Sequence, residues 1–123
     1  MKQPFLLIMI LLFLGCASQE MISVRQMNIQ NVDMASVQDG EYVGSFSYSG
    51  FEYSVKTIVN EHKIIDIKIL QNRETKHAKR AEGVLTEILK RQTPNVDAIS
   101  GATTTSKAIM KAVENSLIFK KRI

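Results

Sequence analysis

The segment from Asp97 to Ser106 carries the residue types of a phosphate-binding turn. Gly101 and Ala102 are small enough to let an anion approach the backbone, and hydroxyl side chains surround them. The residues from Lys107 to Phe119 predict an amphipathic helix directly after this turn. The start of a helix offers unpaired N–H groups and the positive end of the helix dipole, and both favour a phosphate.

The order of these residues, Asp-x-x-Ser-Gly-Ala-Thr-x-Thr-Ser, resembles the flavinylation motif of the FMN-binding domain family. That family includes an FMN subunit of sodium-pumping quinone reductases and one of the Rnf ferredoxin-oxidising complexes. The resemblance implies a covalent FMN, joined through a phosphoester to Thr103. An ordinary helix-capping loop is the alternative, but it explains a hydroxyl at only one or two positions.

Two other segments carry the resemblance, and two depart from it. Asp39-Gly40-x-Tyr42-x-Gly44 opens the first predicted strand, and Glu74-Thr75 follows the third. Glu61-His62-Lys63 stands where members commonly have Asp-Gly-Lys, and Lys76-His77 where many have Pro-Gly. The resemblance implies that two groups of residues surround FMN. One is the segment after the third strand, Glu74 and Thr75, and the other is the motif: Asp97, Ser100, Gly101, Ala102, Thr104 and Thr105.

Several of these residues also have structural explanations. Asp97 contacts a partner enzyme or its metal, or it forms an Asx-type turn. Thr105 is the best candidate for the N-cap of the last helix, with Thr104 as the second. Glu74 and Thr75 hydrogen-bond the polar edge of the flavin, or Glu74 is a solvated loop charge.

The motif contains no base that could activate a threonine hydroxyl, so we predict no catalytic residue and no self-flavinylation. The resemblance implies a separate flavin transferase, which uses Mg²⁺ and donates FMN from FAD. We predict no metal site, because the methionines of the N-terminal region lack histidine or cysteine partners.

The N-terminus has the pattern of an export signal and a lipid anchor. Lys2 and the apolar run Phe5–Leu14 are typical of a signal peptide, and the run is shorter than the roughly 20 residues that span a bilayer. Cys16, the single cysteine, follows as in a bacterial lipoprotein lipobox, which implies lipidation there, although Phe13 stands where leucine is usual. An uncleaved N-terminal anchor with an idle thiol is the alternative.

We therefore predict a signal peptide over residues 1–15, a lipidated tether or arm over 16–38, and an FMN-binding domain over 39–123. Either form of the anchor places the domain on the extracytoplasmic face of the cell membrane.

Three segments alternate apolar and polar residues with period two and predict β-strands: Glu41–Ser49, Phe51–Asn60 and Lys63–Leu70. Tight turns at Ser49-Gly50 and Asn60–Lys63 join them into an antiparallel meander. A helix is predicted from Lys76 to Gln92. The last helix is predicted to bury one stripe: Ile109, Ala112, Val113, Ser116 and Leu117.

The predicted fold is α+β, an antiparallel β-meander with two helices packed on one face. Four aromatic residues suit a flavin ring by type but are more simply explained as sheet core or strand aromatics: Tyr42, Tyr48, Phe51 and Tyr53.

Charge gives no support to nucleic-acid binding. Lysine and arginine number 16 against 12 aspartate and glutamate, and no aromatic-basic module accompanies this mild excess. The chain is instead predicted to be an electron carrier and not a turnover enzyme, taking electrons from a membrane donor and passing them to an extracytoplasmic acceptor or reductase. Two alternatives stay open: a flavin-free lipoprotein interaction or assembly module, and an accessory subunit of a flavin reductase complex.

Overall fold

The computed structural model describes residues 19–119. One sheet contains three antiparallel strands in the order β1-β2-β3: β1 is Gly40–Tyr48, β2 is Phe51–Asn60 and β3 is Lys63–Gln71. Two-residue turns join neighbouring strands, and the central residues of both turns have the positive φ that matches hairpin twist: Ser49, Gly50, Glu61 and His62. The predicted meander and both of its turns are confirmed.

Helix α4 (Thr103–Phe119) packs against β1 and β2. Gly44 of β1 allows a very close approach, because an added Cβ would stand 2.1 Å from the carbonyl oxygen of Ala112. The hydroxyls of Thr57 and Ser116 lie 2.7 Å apart in the buried contact between sheet and helix. The predicted apolar stripe is fully buried, which confirms the α+β fold with helices on the sheet: Ile109, Ala112, Val113, Ser116 and Leu117.

The helix predicted from Lys76 to Gln92 is divided in two: α2 (Lys76–Ala81) and α3 (Val84–Arg91). At the junction the amide of Gly83 bonds the carbonyl of Arg80, three residues back instead of four. Gly83 also lies against the motif segment, since an added Cβ would be 3.3 Å from Cδ1 of Ile99. The single-helix prediction is wrong at Gly83, where this tighter turn separates α2 from α3 and where glycine has a low helix propensity.

Residues 19–38 pack on the sheet and α4. They contain two short helical stretches: α1 at residues 19–26, and one turn of 3-10 helix at Met34–Ser36. The backbone N–H of Gln30 donates to the buried carboxylate of Glu114 at 3.0 Å. Three apolar side chains of this segment join the main core, so over this range the chain is a packed arm: Val24, Ile29 and Val37.

The predicted signal peptide (1–15) and lipidation site (Cys16) lie outside the described residues, and the domain boundaries stay predictions. Between residues 19 and 119, every helix is too short or too polar to cross a bilayer.

Candidate functional site

Helix α4 begins at Thr103, four residues earlier than predicted. The carbonyl of Ala102 accepts from the amide of Ser106 at 2.9 Å and so closes the first turn. Thr104 and Thr105 therefore lie inside this turn, and the prediction that one of them is the N-cap is wrong. Their hydroxyls bond to side chains from distant segments instead.

The first turn of α4 presents three backbone N–H groups at one point. Within residues 19–119, no acceptor meets the amides of Thr103, Thr104 and Thr105, whereas the amide of Ala102 donates to Ile99 at 2.9 Å. Alanine at the N-cap has no side-chain oxygen that could fill this role. The three amides stand at the positive end of a 17-residue helix, and together they form a site for a phosphate-like anion.

The three consecutive threonines differ in what their hydroxyls contact. Nε of Arg25 donates to Oγ1 of Thr104 at 2.8 Å, and the hydroxyl of Thr105 interacts with the phenol of Tyr53. Thr104 and Thr105 are both buried. Thr103 is half-buried, and its hydroxyl has no hydrogen-bond partner in the described part of the chain. Among the three, Thr103 is therefore the one whose hydroxyl is available for reaction.

The loop before Thr103 has a defined conformation. Gly101 has a φ of +78°, a value that favours glycine, and an added Cβ would lie 2.7 Å from Nη2 of Arg80. The same Nη2 donates to the carbonyl of Ser100 at 2.6 Å. The hydroxyl of Ser106 accepts from the amide of Ile99 at 3.1 Å and ties the loop to the helix. Glycine is thus required both by the backbone angle and by the arginine beside it.

Four cations from different parts of the chain gather around this end of the domain. Arg25 and Arg80 contact Thr104 and Ser100 as described above. Nζ of Lys107 donates to the carbonyl of Met27 at 3.1 Å, and Cζ of Arg73 lies 3.9 Å from the centre of the Phe51 ring. No sequence pattern indicated these four cations, because their convergence depends on tertiary contacts. Two of them, Arg25 and Arg80, contact residues of the motif directly and bring positive charge beside the first turn of α4.

An aromatic group adjoins the start of α4. The rings of Tyr48 and Tyr53 stack at 5.8 Å, and Phe51 meets Tyr48 edge-on at 6.3 Å. Burial raises the pKa of Tyr53 to about 12, and its bond to Tyr48 adds to the rise, while Thr105 and the charge of Arg73 oppose it. Phe51 is 38% exposed and can meet a ligand.

Three of the four aromatic residues considered from sequence are core residues: Tyr42, Tyr48 and Tyr53. Tyr42 and Tyr53 are fully buried, which agrees with the core interpretation preferred for them. Beside Tyr48 lies a mainly apolar groove of about 330 Å³. It separates α1 from the end of β1, and its lining includes Val24, Met27 and Phe46.

The remaining predicted site residues have the following positions. Thr75 is the N-cap of α2 and accepts from the amide of Ala78 at 3.1 Å. Glu74 is exposed and pairs with Lys79 at 3.7 Å. Asp97 is exposed, and its carboxylate makes no hydrogen bond within residues 19–119, so the Asx-turn explanation is wrong for this range. Helix α2, which Thr75 caps, delivers Arg80 to the motif loop.

Residues 48–118 match the FMN-binding domain. The chain belongs to the FMN-binding domain family. The match begins at Tyr48, the last residue of β1, and includes β2, β3, α2, α3 and α4 as far as Ile118. Membership supports FMN as the ligand of the anion site and an FMN-binding role in electron transfer.

A curated relative is the NADH:acrylate oxidoreductase of Vibrio harveyi, which is 29% identical over 116 residues. The aligned part is 93% of this chain but 12% of that protein. The chain thus corresponds to a small portion of a much longer oxidoreductase.

Proposed function

We propose that Thr103 carries FMN through a phosphoester and that the domain is an electron carrier. The observation that carries this proposal is the free, half-buried hydroxyl of Thr103 beside the three unpaired amides of α4. FMN supplies one- and two-electron transfer when bound, while the protein holds it and tunes it.

The residues around Thr103 fit an FMN phosphate and its ring. The amides of the first turn would hold the phosphate oxygens, and Arg25 and Arg80 would balance the negative charge. The exposed ring of Phe51, with Tyr48 behind it, would give the flavin an aromatic surface. The turn residues Ser100, Gly101 and Ala102 would leave the attached oxygen accessible.

The attachment reaction needs a second protein. The hydroxyl of Thr103 has no basic side chain bonded to it within residues 19–119, and an unactivated hydroxyl is a weak nucleophile. We therefore assign the transfer to a separate, Mg²⁺-dependent flavin transferase that breaks the pyrophosphate bond of FAD, joins the FMN phosphate to the oxygen of Thr103 and releases AMP. Asp97, exposed in the loop before Thr103, is the proposed contact for the transferase or its metal.

The proposed setting is the extracytoplasmic face of the cell membrane, with a lipid on Cys16. Electrons would come from a membrane donor and pass to an extracytoplasmic acceptor or reductase. The likeness to a small part of a long oxidoreductase supports a relay domain that serves a larger electron-transfer system. We propose no NADH or acrylate activity for this chain alone.

The test is to express wild-type protein and a Thr103→Ala variant together with a flavin transferase. Denaturing gels are then read for flavin fluorescence, which survives denaturation only if the bond is covalent. The wild type should fluoresce and Thr103→Ala should not, while Thr103→Ser should keep a reduced signal because it retains a hydroxyl.

Thr104→Ala and Thr105→Ala show whether the position is specific, and Thr86→Ala, on the exposed face of α3, controls for expression. All three should keep a covalent flavin. A fluorescent Thr103→Ala band would disprove the attachment site. A dark wild-type band, with transferase and FAD present, would favour the flavin-free interaction module.

A further inference from the structure

The outer face of α1 carries exposed apolar side chains beside the proposed lipid anchor. Met21 is 41% exposed and Ile22 is 50% exposed, whereas Val24, which lies across the helix from Ile22, is buried. We propose that this face rests on the lipid surface and holds the α4 end of the domain toward the membrane. The inference rests on the proposed anchoring at Cys16 and goes beyond it, because a lipid alone fixes no orientation.

Helix α1 is fixed to the rest of the domain. The carboxylate of Glu20 accepts from the amide of Ser49 at 2.8 Å and from its hydroxyl at 3.0 Å. At the other end of α1, Arg25 donates to Thr104 at 2.8 Å. The helix therefore bridges the β1–β2 turn and the first turn of α4, so its orientation sets the orientation of the flavin site.

Chain length places α1 close to the anchor. Only Ala17 and Ser18 separate Cys16 from Gln19, and three Cα–Cα steps span at most about 11 Å. Had residues 17–38 been extended, they would have reached about 75 Å from the lipid. They do not act as such a spacer, because residues 19–38 pack on the domain. A lipid on Cys16 thus brings α1 to within roughly a helix diameter of the headgroups.

The chemistry of the outer face suits a lipid surface. Apolar side chains can enter the boundary between headgroups and acyl chains, while neighbouring polar groups stay in the headgroup layer. The exposed polar residues of α1 are Gln19, Glu20, Ser23, Arg25 and Gln26. The two apolar side chains would contribute orientation, and the acyl chains would contribute attachment. A membrane-bound donor would then meet the flavin end of the domain directly.

The experiment uses full-length, lipidated protein reconstituted in vesicles of phosphatidylethanolamine and phosphatidylglycerol. Lipidation occupies the thiol of Cys16, so a cysteine introduced by Ile22→Cys or Ile65→Cys can be labelled alone with an environment-sensitive dye. The two sites are matched, because both are exposed isoleucines, 50% and 55% exposed. Lipids that carry a quencher near the headgroup are then added.

We expect the dye at residue 22 to lose most of its fluorescence and the dye at residue 65 to keep it. Equal quenching at both sites, or none at residue 22, would overturn the proposed orientation. An intact mass of the same preparation separates the two proposals. A missing diacylglyceryl mass would disprove the anchor at Cys16, whereas a lipidated protein without quenching at residue 22 would disprove only the orientation.

Discussion

Replacing Gly101 by alanine would put a side chain on a left-handed backbone position. With φ at +78°, this backbone conformation destabilises the folded state of an L-residue by about 1–2 kcal/mol. Alanine also lowers the conformational entropy of the unfolded chain, and this offsets about 0.4–1 kcal/mol of the loss. The new Cβ would also displace Nη2 of Arg80, which stands 2.7 Å away. Losing the Arg80–Ser100 hydrogen bond adds about 0.5–1.5 kcal/mol.

The free energy of unfolding should therefore fall by about 2 kcal/mol in Gly101→Ala, which lowers Tm by roughly 8–16 °C in a domain of this size. Gly50→Ala is the matched control, because Gly50 has a φ of +77° and an added Cβ there would meet nothing within 4 Å. It should lose only about 1 kcal/mol, the net backbone penalty.

Thermal unfolding of flavin-free protein, followed by circular dichroism, measures both variants. A wild-type Tm for Gly101→Ala would refute the assigned loop conformation. Equal losses in the two variants would show that the contact with Arg80 contributes nothing. Covalent flavin should also decrease in Gly101→Ala when the transferase is present, because the loop that presents Thr103 is distorted.

Three further predictions concern the fold that holds the site. Gly44→Ala should lower the free energy of unfolding by at least about 1–3 kcal/mol, because the backbone of Ala112 cannot move aside. Soluble yield and Tm are the measurements, and a wild-type Tm would contradict the close approach of sheet and helix. Thr57→Val should cost about 1 kcal/mol, since Ser116 still donates to Val113; a urea midpoint unchanged from wild type would argue against this buried bond. The pKa of Tyr53 is about 12 in the folded protein and about 10 when unfolded, so stability should fall as pH rises from 10 toward 12. Tyr53→Phe should flatten that decline in urea midpoints, and an unchanged slope would assign it to other groups.

The strands could be predicted from sequence to within one residue at each end. Phe51–Asn60 has the predicted bounds, and β1 and β3 differ by a single residue. Alternation with period two and the turn residues between strands are local signals, so a single sequence carries them. The buried stripe of α4 could also be predicted from sequence, because residues spaced three and four apart lie on one face of a helix.

The start of α4 was harder to predict for a physical reason. Threonine and glycine favour turns and caps when only local preferences count. In the structure, Thr104 instead bonds Arg25 and Thr105 interacts with Tyr53, and both partners lie far away in sequence. Tertiary partners thus allow the helix to include residues that would otherwise end or cap it.

The motif predicted Thr103 as the attachment site, but not the reason that its hydroxyl differs from those of its neighbours. That reason is tertiary, since Arg25 and Tyr53 engage the next two hydroxyls and leave the first one free. Arg80 likewise comes from α2, the helix whose separation from α3 the sequence analysis did not foresee. Cations scattered along the chain gave no local signal that they meet at one site.

The central claim is tested most directly by tandem mass spectrometry of the tryptic peptide Gln92–Lys107 from protein extracted from its own membranes. This peptide contains Thr93 and all three threonines of the motif. The account predicts one FMN phosphoester, with fragment ions that place it on Thr103. An unmodified peptide, or fragments that place the ester on another threonine, would contradict it.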